Sequence, residues 1–559
     1  MAGLLKPALR HRKLIGAFGL YAALSVLMFG RDVLTDPNNH VVGDDLADKT
    51  LYMWSFKWWP QAVWHLHNPL DVDVAWMPHG FDFGLGTAGG GLALIAAPLT
   101  AAAGPVRTYN VLILLAPALG ATTAFLLAHA ITGAFWPSFV AGYVFGFSSY
   151  ELGHMISHLP LAFVALVPLV PYLVLLRHQG RLSARWFVAA LTGVLVAQFM
   201  IVTQIFFSLV VVGAVGAALA VLVYGWDAVQ PTLRDAALAL VLAVLVLAPI
   251  LVYALVSHAA APVRSPFFES ADLLNYVVPT RRTWLRPPGT GEIAKRFTAT
   301  GAEQGAYLGL PFLALVLLAA VGHWRARSRR LLLLVFAAAV VLSLGTRAKV
   351  AGHALAIAPW TVFAHLPVLR SALPARITLY TALFAALLIA VALTDRRSVM
   401  RWLLVAAGVA ATLPNLQLAQ WSSHVPRPAF FAVKQDRAAI PADATALVLP
   451  YGPAGWSMLW HAEAAFRFRI VGGHFALRVT PEEEEWRDVY EALGTGRVRP
   501  GRLCAFLDSH DVDVVVVAPG TRPAARLAVK AAVHTRPEQV LDTIIYRVGR
   551  SPQPASTRC

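Results

Sequence analysis

Long apolar runs separated by short basic loops dominate this chain. They fall at roughly 13–30, 107–130, 136–149, 160–176, 186–203, 205–224, 235–257, 305–323, 331–345, 376–394 and 400–417. Most are long enough to read as membrane-spanning helices, and together they predict about eleven spans. The first run lacks a small-x-small cleavage site and runs on into Phe29-Gly30-Arg31-Asp32, so it reads as a retained span. Two further apolar stretches do not fit as spans. GGGLALIAAPLTAAAG (89–104) is short and glycine-rich, and AGHALAIAPWTVFAHLP (351–367) is short and broken by Pro359. Both read as re-entrant or interfacial segments.

From about residue 420 the pattern changes. Apolar runs shorten, charges rise, and ATALVLPYG (444–452), RIVGGH (469–474), VDVVVVAPG (512–520) and DTIIYRVG (542–549) read as strands. TPEEEEWRDVYEALGTG (480–496) reads as a helix, with Thr480 as N-cap, Pro481 at the first position and glutamates in the first turn. The expected architecture is an α-helical polytopic membrane domain over 1–418, followed by a soluble α/β domain over 419–559.

Composition supports the membrane reading. Of 559 residues, 58% are hydrophobic and 14% charged, against about 25% charged in ordinary soluble chains. The net charge of +16 does not point to nucleic acid, because the cations sit in short loops such as RARSRR (325–330) and DRRSVMR (395–401) instead of on one face of a soluble domain. With KPALRHRK (6–13), RHQGRLSAR (177–185) and those two clusters on the cytoplasmic side, eleven spans place the N-terminus inside. Loops 31–106, 257–304 and 346–375 and the whole tail then lie outside. The expected location is a bacterial plasma membrane. Two cysteines, Cys504 and Cys559, are too few for a disulfide framework and fit no metal-site spacing.

Candidate chemistry concentrates in the outside loops. VVGDDLADKTLYMW (41–54) carries Asp44, Asp45 and Asp48. The segment after them, with Trp54, Trp58, Trp59 and Trp64, has the profile of an interfacial amphipathic helix. The aspartates are placed for chemistry at the membrane boundary, or else they cap that helix. Asp71 and Asp73 form a D-x-D, and the glycines at 84, 86 and 89–91 lack the ending of a phosphate loop. SSYELGHMISHLPL (148–161) sets Glu151, His154 and His158 at i, i+3 and i+7, on one helical face. They suit substrate contact, metal ligation, or hydrogen bonding to other loops. Arg264, Arg281, Arg282, Lys295, Arg370 and Arg376 are cations on the outside, against the usual bias. Phosphate binding explains them; so would headgroup contact, or pairing with Asp272, Glu269 or the first-loop aspartates.

A first span, an outside loop opening with an acidic pair, and the short patterns P-x-G (Pro78, Gly80), G-H (Gly153, His154), ESADLLNYVVPT, AYLGLP, LPVLRSALPAR and VLPYG…IVGGH together resemble the GT-C superfamily of polytopic glycosyltransferases. The resemblance implies 11–13 helices, an active site on the outer face, and transfer of a hexosyl or pentosyl group from a polyprenyl-phosphate sugar to a glycan, lipid or protein acceptor. It implies that Asp44 or Asp45 is the catalytic base and that loop arginines hold the lipid phosphate. Asp48, Glu151, His154 and His158 join the substrate-binding set. A divalent cation could assist, though nothing in the sequence requires one. Two other readings remain: a lipid or glycan transporter, disfavoured by the scarcity of mid-span charges and of repeat symmetry, and an envelope-assembly scaffold with the tail as its binding module.

Overall fold

The computed structural model describes residues 2–44, 48–84, 86, 88–256, 267–322, 326–366, 369, 372–395, 398–432, 439–451, 455–473, 485–495 and 497–549. The chain forms two compact units. One comprises Met1–Arg31, Val111–Pro249 and Val263–Trp421, the other Asp32–Asn110, Ile250–Pro262 and Ser422–Cys559.

Among the described residues, six helices are long and apolar enough to cross a membrane: Arg12–Phe29, Pro105–Thr132, Ala184–Ile201, Thr203–Tyr224, Trp226–Val256 and Pro374–Thr394. The protein is a multi-pass membrane protein. The remaining predicted spans appear as shorter helices, Phe135–Gly146, Leu169–His178, Leu310–Gly322, Arg327–Ser343 and Val399–Thr412. The run at 160–176 is not one helix. It divides into Leu159–Ala162 and Leu169–His178, with Pro168 as N-cap of the second, because a proline disfavours helical backbone in the residue before it.

In the first unit the Pro374–Thr394 segment is central, with 94% of its apolar window buried. It packs against Phe135–Gly146, Leu310–Gly322 and Arg327–Ser343. Gly142 and Gly146 bring Phe135–Gly146 close to the 111–132 part of its neighbour: a Cβ on Gly142 would lie 2.6 Å from the Ala121 carbonyl oxygen, and one on Gly146 2.7 Å from the Ala121 nitrogen. Small residues at such a crossing let two backbones approach.

The second unit joins the first loop to the tail. Among the described residues the tail sheet has five strands, in the order Glu538–Val540, Thr543–Arg547, Val514–Val517, Thr445–Leu449 and Arg469–Ile470. The last three run parallel and the other two antiparallel. The four strands expected from the sequence are present, and Glu538–Val540 was not foreseen. Residues 74–77 extend the edge beyond Arg469–Ile470: Ile470 N–H donates to the Val74 carbonyl at 3.0 Å, and Met77 N–H donates to that of Ile470 at 3.2 Å. His40–Val42 pairs antiparallel with Ser422–His424. Segments distant in sequence thereby satisfy each other's backbone groups.

The aromatic helix Asp48–Trp64 corrects one expectation. Trp54, Trp58 and Trp59 are buried in protein, while Trp64 is exposed. Trp54 stacks on Trp58 at 5.3 Å and donates its indole N–H to His461 Nδ1 at 3.2 Å. Trp58 donates to the Pro69 carbonyl. The helix packs against Ser457–Glu463 of the tail, so its apolar face is met by protein and these three indoles are core residues. GGGLALIAAPLTAAAG also forms no span: it folds as Gly90–Ile95 and Ala97–Ala103, and a Cβ on Gly90 would enter the Trp59 ring.

One glycine in the tail lacks freedom to change. Gly472 has φ +85°, and an added Cβ would collide with the Tyr451 hydroxyl. Gly472→Ala should cost about 1–3 kcal/mol in the tail's unfolding transition. Gly494→Ala, in the helix Arg487–Thr495 where a Cβ meets nothing among the described residues, should be neutral or stabilising by up to about 1 kcal/mol. Thermal scans of the two full-length variants in detergent measure the difference, and equal midpoints would refute the assignment.

Candidate functional site

The first unit gathers a cluster of ionisable side chains around a short helix, Ser149–His154. The Ser148 hydroxyl caps this helix by accepting from the Glu151 N–H at 3.3 Å. The helix ends at His154, so the predicted face is not one continuous helix. The turn that follows keeps the pattern, because His158 N–H donates to the His154 carbonyl at 2.8 Å. The two imidazole rings consequently meet edge to face at 5.6 Å.

Two glycines set this helix against the turn Gly301–Glu303. A Cβ on Gly153 would lie 2.5 Å from the Ala302 carbonyl oxygen and 3.0 Å from Arg282 Nη1, and one on Gly305 would lie 2.8 Å from Tyr150 Cα. The close approach brings Glu303 to His154, with Nε2 to Oε2 at 3.8 Å. Arg376, in the turn Pro374–Ile377, donates Nε and Nη2 to Glu303 Oε1 at 2.8 and 2.6 Å. Arg282 is 9% exposed, and its guanidinium reaches Gly153 and Gly301.

The protonation states follow from these neighbours. Burial alone would raise the Glu303 carboxyl. The Arg376 guanidinium outweighs that and holds it down to about 2. His154 is driven well below its ordinary value by burial, which the Glu303 charge only partly opposes, so its imidazole is neutral. Glu151 is fully buried, and neither carboxyl oxygen has a hydrogen-bond partner among the described residues. Burial pushes it well above the usual carboxylate range, which favours its protonated form. The two buried carboxyls are thus pushed in opposite directions. Among the described residues, no group of three or more His, Cys, Asp and Glu side chains is arranged to hold a metal ion.

The second unit contains the first-loop aspartates. Asp44 is half-buried, and its carbonyl accepts from the Ser423 hydroxyl at 3.1 Å. That hydroxyl in turn accepts from Lys49 Nζ at 2.7 Å. Asn110 grips the strand before the loop, accepting from Val42 N–H at 3.1 Å and donating to the His40 carbonyl at 2.8 Å. Asp48 opens the helix Asp48–Trp64. Lys49, which is fully buried, was not singled out from the sequence.

The sequence candidates therefore divide. His154, His158, Arg282 and Arg376 gather around Glu303, Glu151 is buried on the same short helix as His154, and Arg281 is exposed in its loop. Asp45, Arg264 and Arg370 lie outside the described residues. Asp71 faces Asp82 across a two-strand hairpin. Glu303 was missed. It precedes AYLGLP in EQGAYLGLP, and the signal that could have found it is the surplus of loop arginines, at least one of which needs a buried anion. Arg376 takes Glu303 as partner, instead of the Asp272 or Glu269 considered from the sequence.

No protein-family model and no curated protein matches the chain. Among solved structures, arabinofuranosyltransferase AftD from Mycobacteria aligns with 96% of this chain at TM-score 0.57 and 16% identity, and this chain spans 41% of AftD's length. The oligosaccharyltransferase of Archaeoglobus fulgidus matches 90% of this chain and 69% of its own at TM-score 0.49 and 11% identity. ArnT from Cupriavidus metallidurans, bound to undecaprenyl phosphate, matches at TM-score 0.38 and 14% identity over 96% of this chain and 99% of its own. The chain has a GT-C-type fold, as the sequence resemblance implied.

The buried pair makes a stability prediction. Arg376→Met strands the Glu303 charge and should cost about 3–5 kcal/mol, whereas Arg376→Met combined with Glu303→Met should recover most of it. A carboxyl with a depressed folded-state value adds stability above its unfolded range and loses it as pH falls. The wild-type contribution should therefore decline from about 4.5 towards 2, and the double variant should lack that slope. Thermal unfolding of the detergent-solubilised chains across pH reads both effects.

Proposed function

We propose that this protein is a membrane glycosyltransferase that moves a sugar from a polyprenyl-phosphate donor to a glycan, lipid or protein acceptor outside a bacterial plasma membrane. One observation carries the reading. In a GT-C-type fold, a buried Arg376–Glu303–His154 cluster lies at a short helix that also carries Glu151, fully buried and without a hydrogen-bond partner among the described residues. Isolated polar groups are expensive to bury, and ionisable residues of membrane proteins are kept where they contact substrate or cofactor.

In this reading the acceptor hydroxyl attacks the anomeric carbon. The bond from that carbon to the phosphate oxygen breaks, and the phosphate leaves with the electron pair. Asp44 or Asp45 takes the hydroxyl proton as general base. Arginines of the set Arg264, Arg281, Arg282, Arg370 and Arg376 stabilise the charge growing on the phosphate, where a guanidinium offers a planar fork of donors. Glu151, whose protonated form burial favours, and His154 contact substrate by hydrogen bonds; His158 and Asp48 complete the set. Direct displacement inverts the anomeric centre. Support for a lipid donor comes from the arginines and from the resemblance. Because AftD is an arabinofuranosyltransferase, a pentofuranosyl donor is the first to try.

The test is sugar transfer in membranes from a panel of radiolabelled polyprenyl-phosphate sugars. Asp44→Asn/Asp45→Asn at equal expression should lower turnover by about 10²–10⁴-fold, the usual contribution of a general base. Glu151→Gln keeps a neutral side chain that can donate a hydrogen bond and should retain more activity than Glu151→Ala. Unchanged transfer in the double aspartate variant would sink the assignment of the base.

A further inference from the structure

The segment after Arg327–Ser343 is a hairpin, Arg347–Val350 paired antiparallel with His353–Ile357. Its turn, Ala351-Gly352, has φ +50° and +81°, as a tight two-residue hairpin connection requires. The strand after the turn is exposed along its whole length on both faces, with Leu355 at 65% and Ile357 at 81%. Its outer edge is unpaired among the described residues. Exposed apolar surface continues into Val362 at 72%. An open, apolar edge strand in water is a liability that soluble proteins avoid.

This hairpin is held firmly nevertheless. The Asp272 carboxylate accepts from the N–H groups of Ala351 and Gly352 at 3.1 and 2.8 Å. Lys349 is buried, and its Nζ donates to the carbonyls of Phe267 and Phe268 at 2.6 and 3.3 Å and to the Thr298 hydroxyl. Burial lowers Lys349 to about 8, against the pull of Asp272 and Glu269. A rigid anchor beneath an exposed apolar strand is a built presentation of that strand.

We propose that Arg347–Ile357 seats its second strand in the headgroup–acyl boundary of an anionic lipid leaflet. Charge favours this occupant. Arg347 and His353 are exposed on the hairpin, and Arg296, whose carbonyl abuts Gly352, is exposed beside it. The exposed carboxylate nearby, Glu292, pairs with Lys295 at 2.7 Å. Apolar residues rimmed by cations suit an anionic membrane surface. The open edge fixes the depth: its unpaired N–H and C=O groups need water or headgroups and exclude the hydrocarbon centre. The strand also lies in the chain between the helix Arg327–Ser343 and Pro374–Thr394, a segment long and apolar enough to cross a membrane.

The experiment uses the full chain in nanodiscs of phosphatidylcholine with and without phosphatidylglycerol. Leu355→Cys and Ile357→Cys are spin-labelled and read against the unsubstituted chain, with Glu538→Cys on the tail sheet as reference. The oxygen-to-nickel collision ratio should be several-fold higher at 355 and 357 than at 538, and higher still with phosphatidylglycerol. Arg347→Gln, which leaves both anchors intact, should remove that lipid preference and keep the folded chain. A ratio at 355 and 357 equal to that at 538 overturns the proposal. So does shielding of both labels that is the same in detergent and nanodisc and coincides with a doubled particle mass, which would assign the strand to an interface between copies.

Discussion

A charge taken out of water must be paired, hydrogen-bonded or neutralised, and this requirement organises the chain where it leaves its apolar helices. Each buried ionisable group meets it differently. Glu303 stays ionised because Arg376 grips one of its oxygens with two donors. Lys349 sits among carbonyls and a hydroxyl. His461 gives up its charge: burial lowers it to about 4, its Nδ1 accepts from Trp54, and its Nε2 donates to the Phe468 carbonyl at 2.8 Å. Each solution needs partners from distant segments. Polar satisfaction therefore fixes loops that hydrophobic packing alone would leave loosely specified.

The same constraint explains the architecture of the second unit. A loop of almost eighty residues could not stay ordered with its backbone groups unsatisfied. Residues 74–77 and His40–Val42 pair with tail strands, and Asn110 closes the strand from the other side. The glycines near these contacts serve approach as well as turning. Gly90 admits Trp59, and Gly472 admits Tyr451. A loop built this way has a defined shape, which a segment carrying acidic residues needs if their positions are to matter.

Much of the fold was legible because membrane helices announce themselves by length and hydropathy. The change of pattern near residue 420 announced the tail strands. What stayed hidden depended on partners. The tryptophans of Asp48–Trp64 read equally well as interfacial or as core, and only the tail helix that covers them decides. The spacing of Glu151 and His154 was readable, since i, i+3 is local. Glu303 was not, because a glutamate more than a hundred residues away becomes relevant only when Gly153 and Gly305 let two turns touch. Basic loop residues signalled that anions were needed without saying which. Long-range pairing is carried by geometry, and a single sequence holds it only as an unbalanced charge.

Glu151 and Glu303 show how neighbours can bias two buried carboxyls in opposite directions. The difference lies in their immediate neighbours. Glu303 has a guanidinium in contact, so its ionised form is favoured despite burial. Among the described residues Glu151 has no such neighbour, so burial alone sets the direction and favours its protonated form. Environments that push two titratable groups apart in this way commonly separate an acid from an anchor. In the proposed function, Glu303 holds Arg376 in place and Glu151 is left to donate a hydrogen bond to substrate. Exchanging the roles would require moving the arginine, since nothing else among the described residues distinguishes the two sites so strongly. The position of Arg376 in Pro374–Ile377, at the head of the most buried helix, is thus the feature on which the chemistry of the cluster turns.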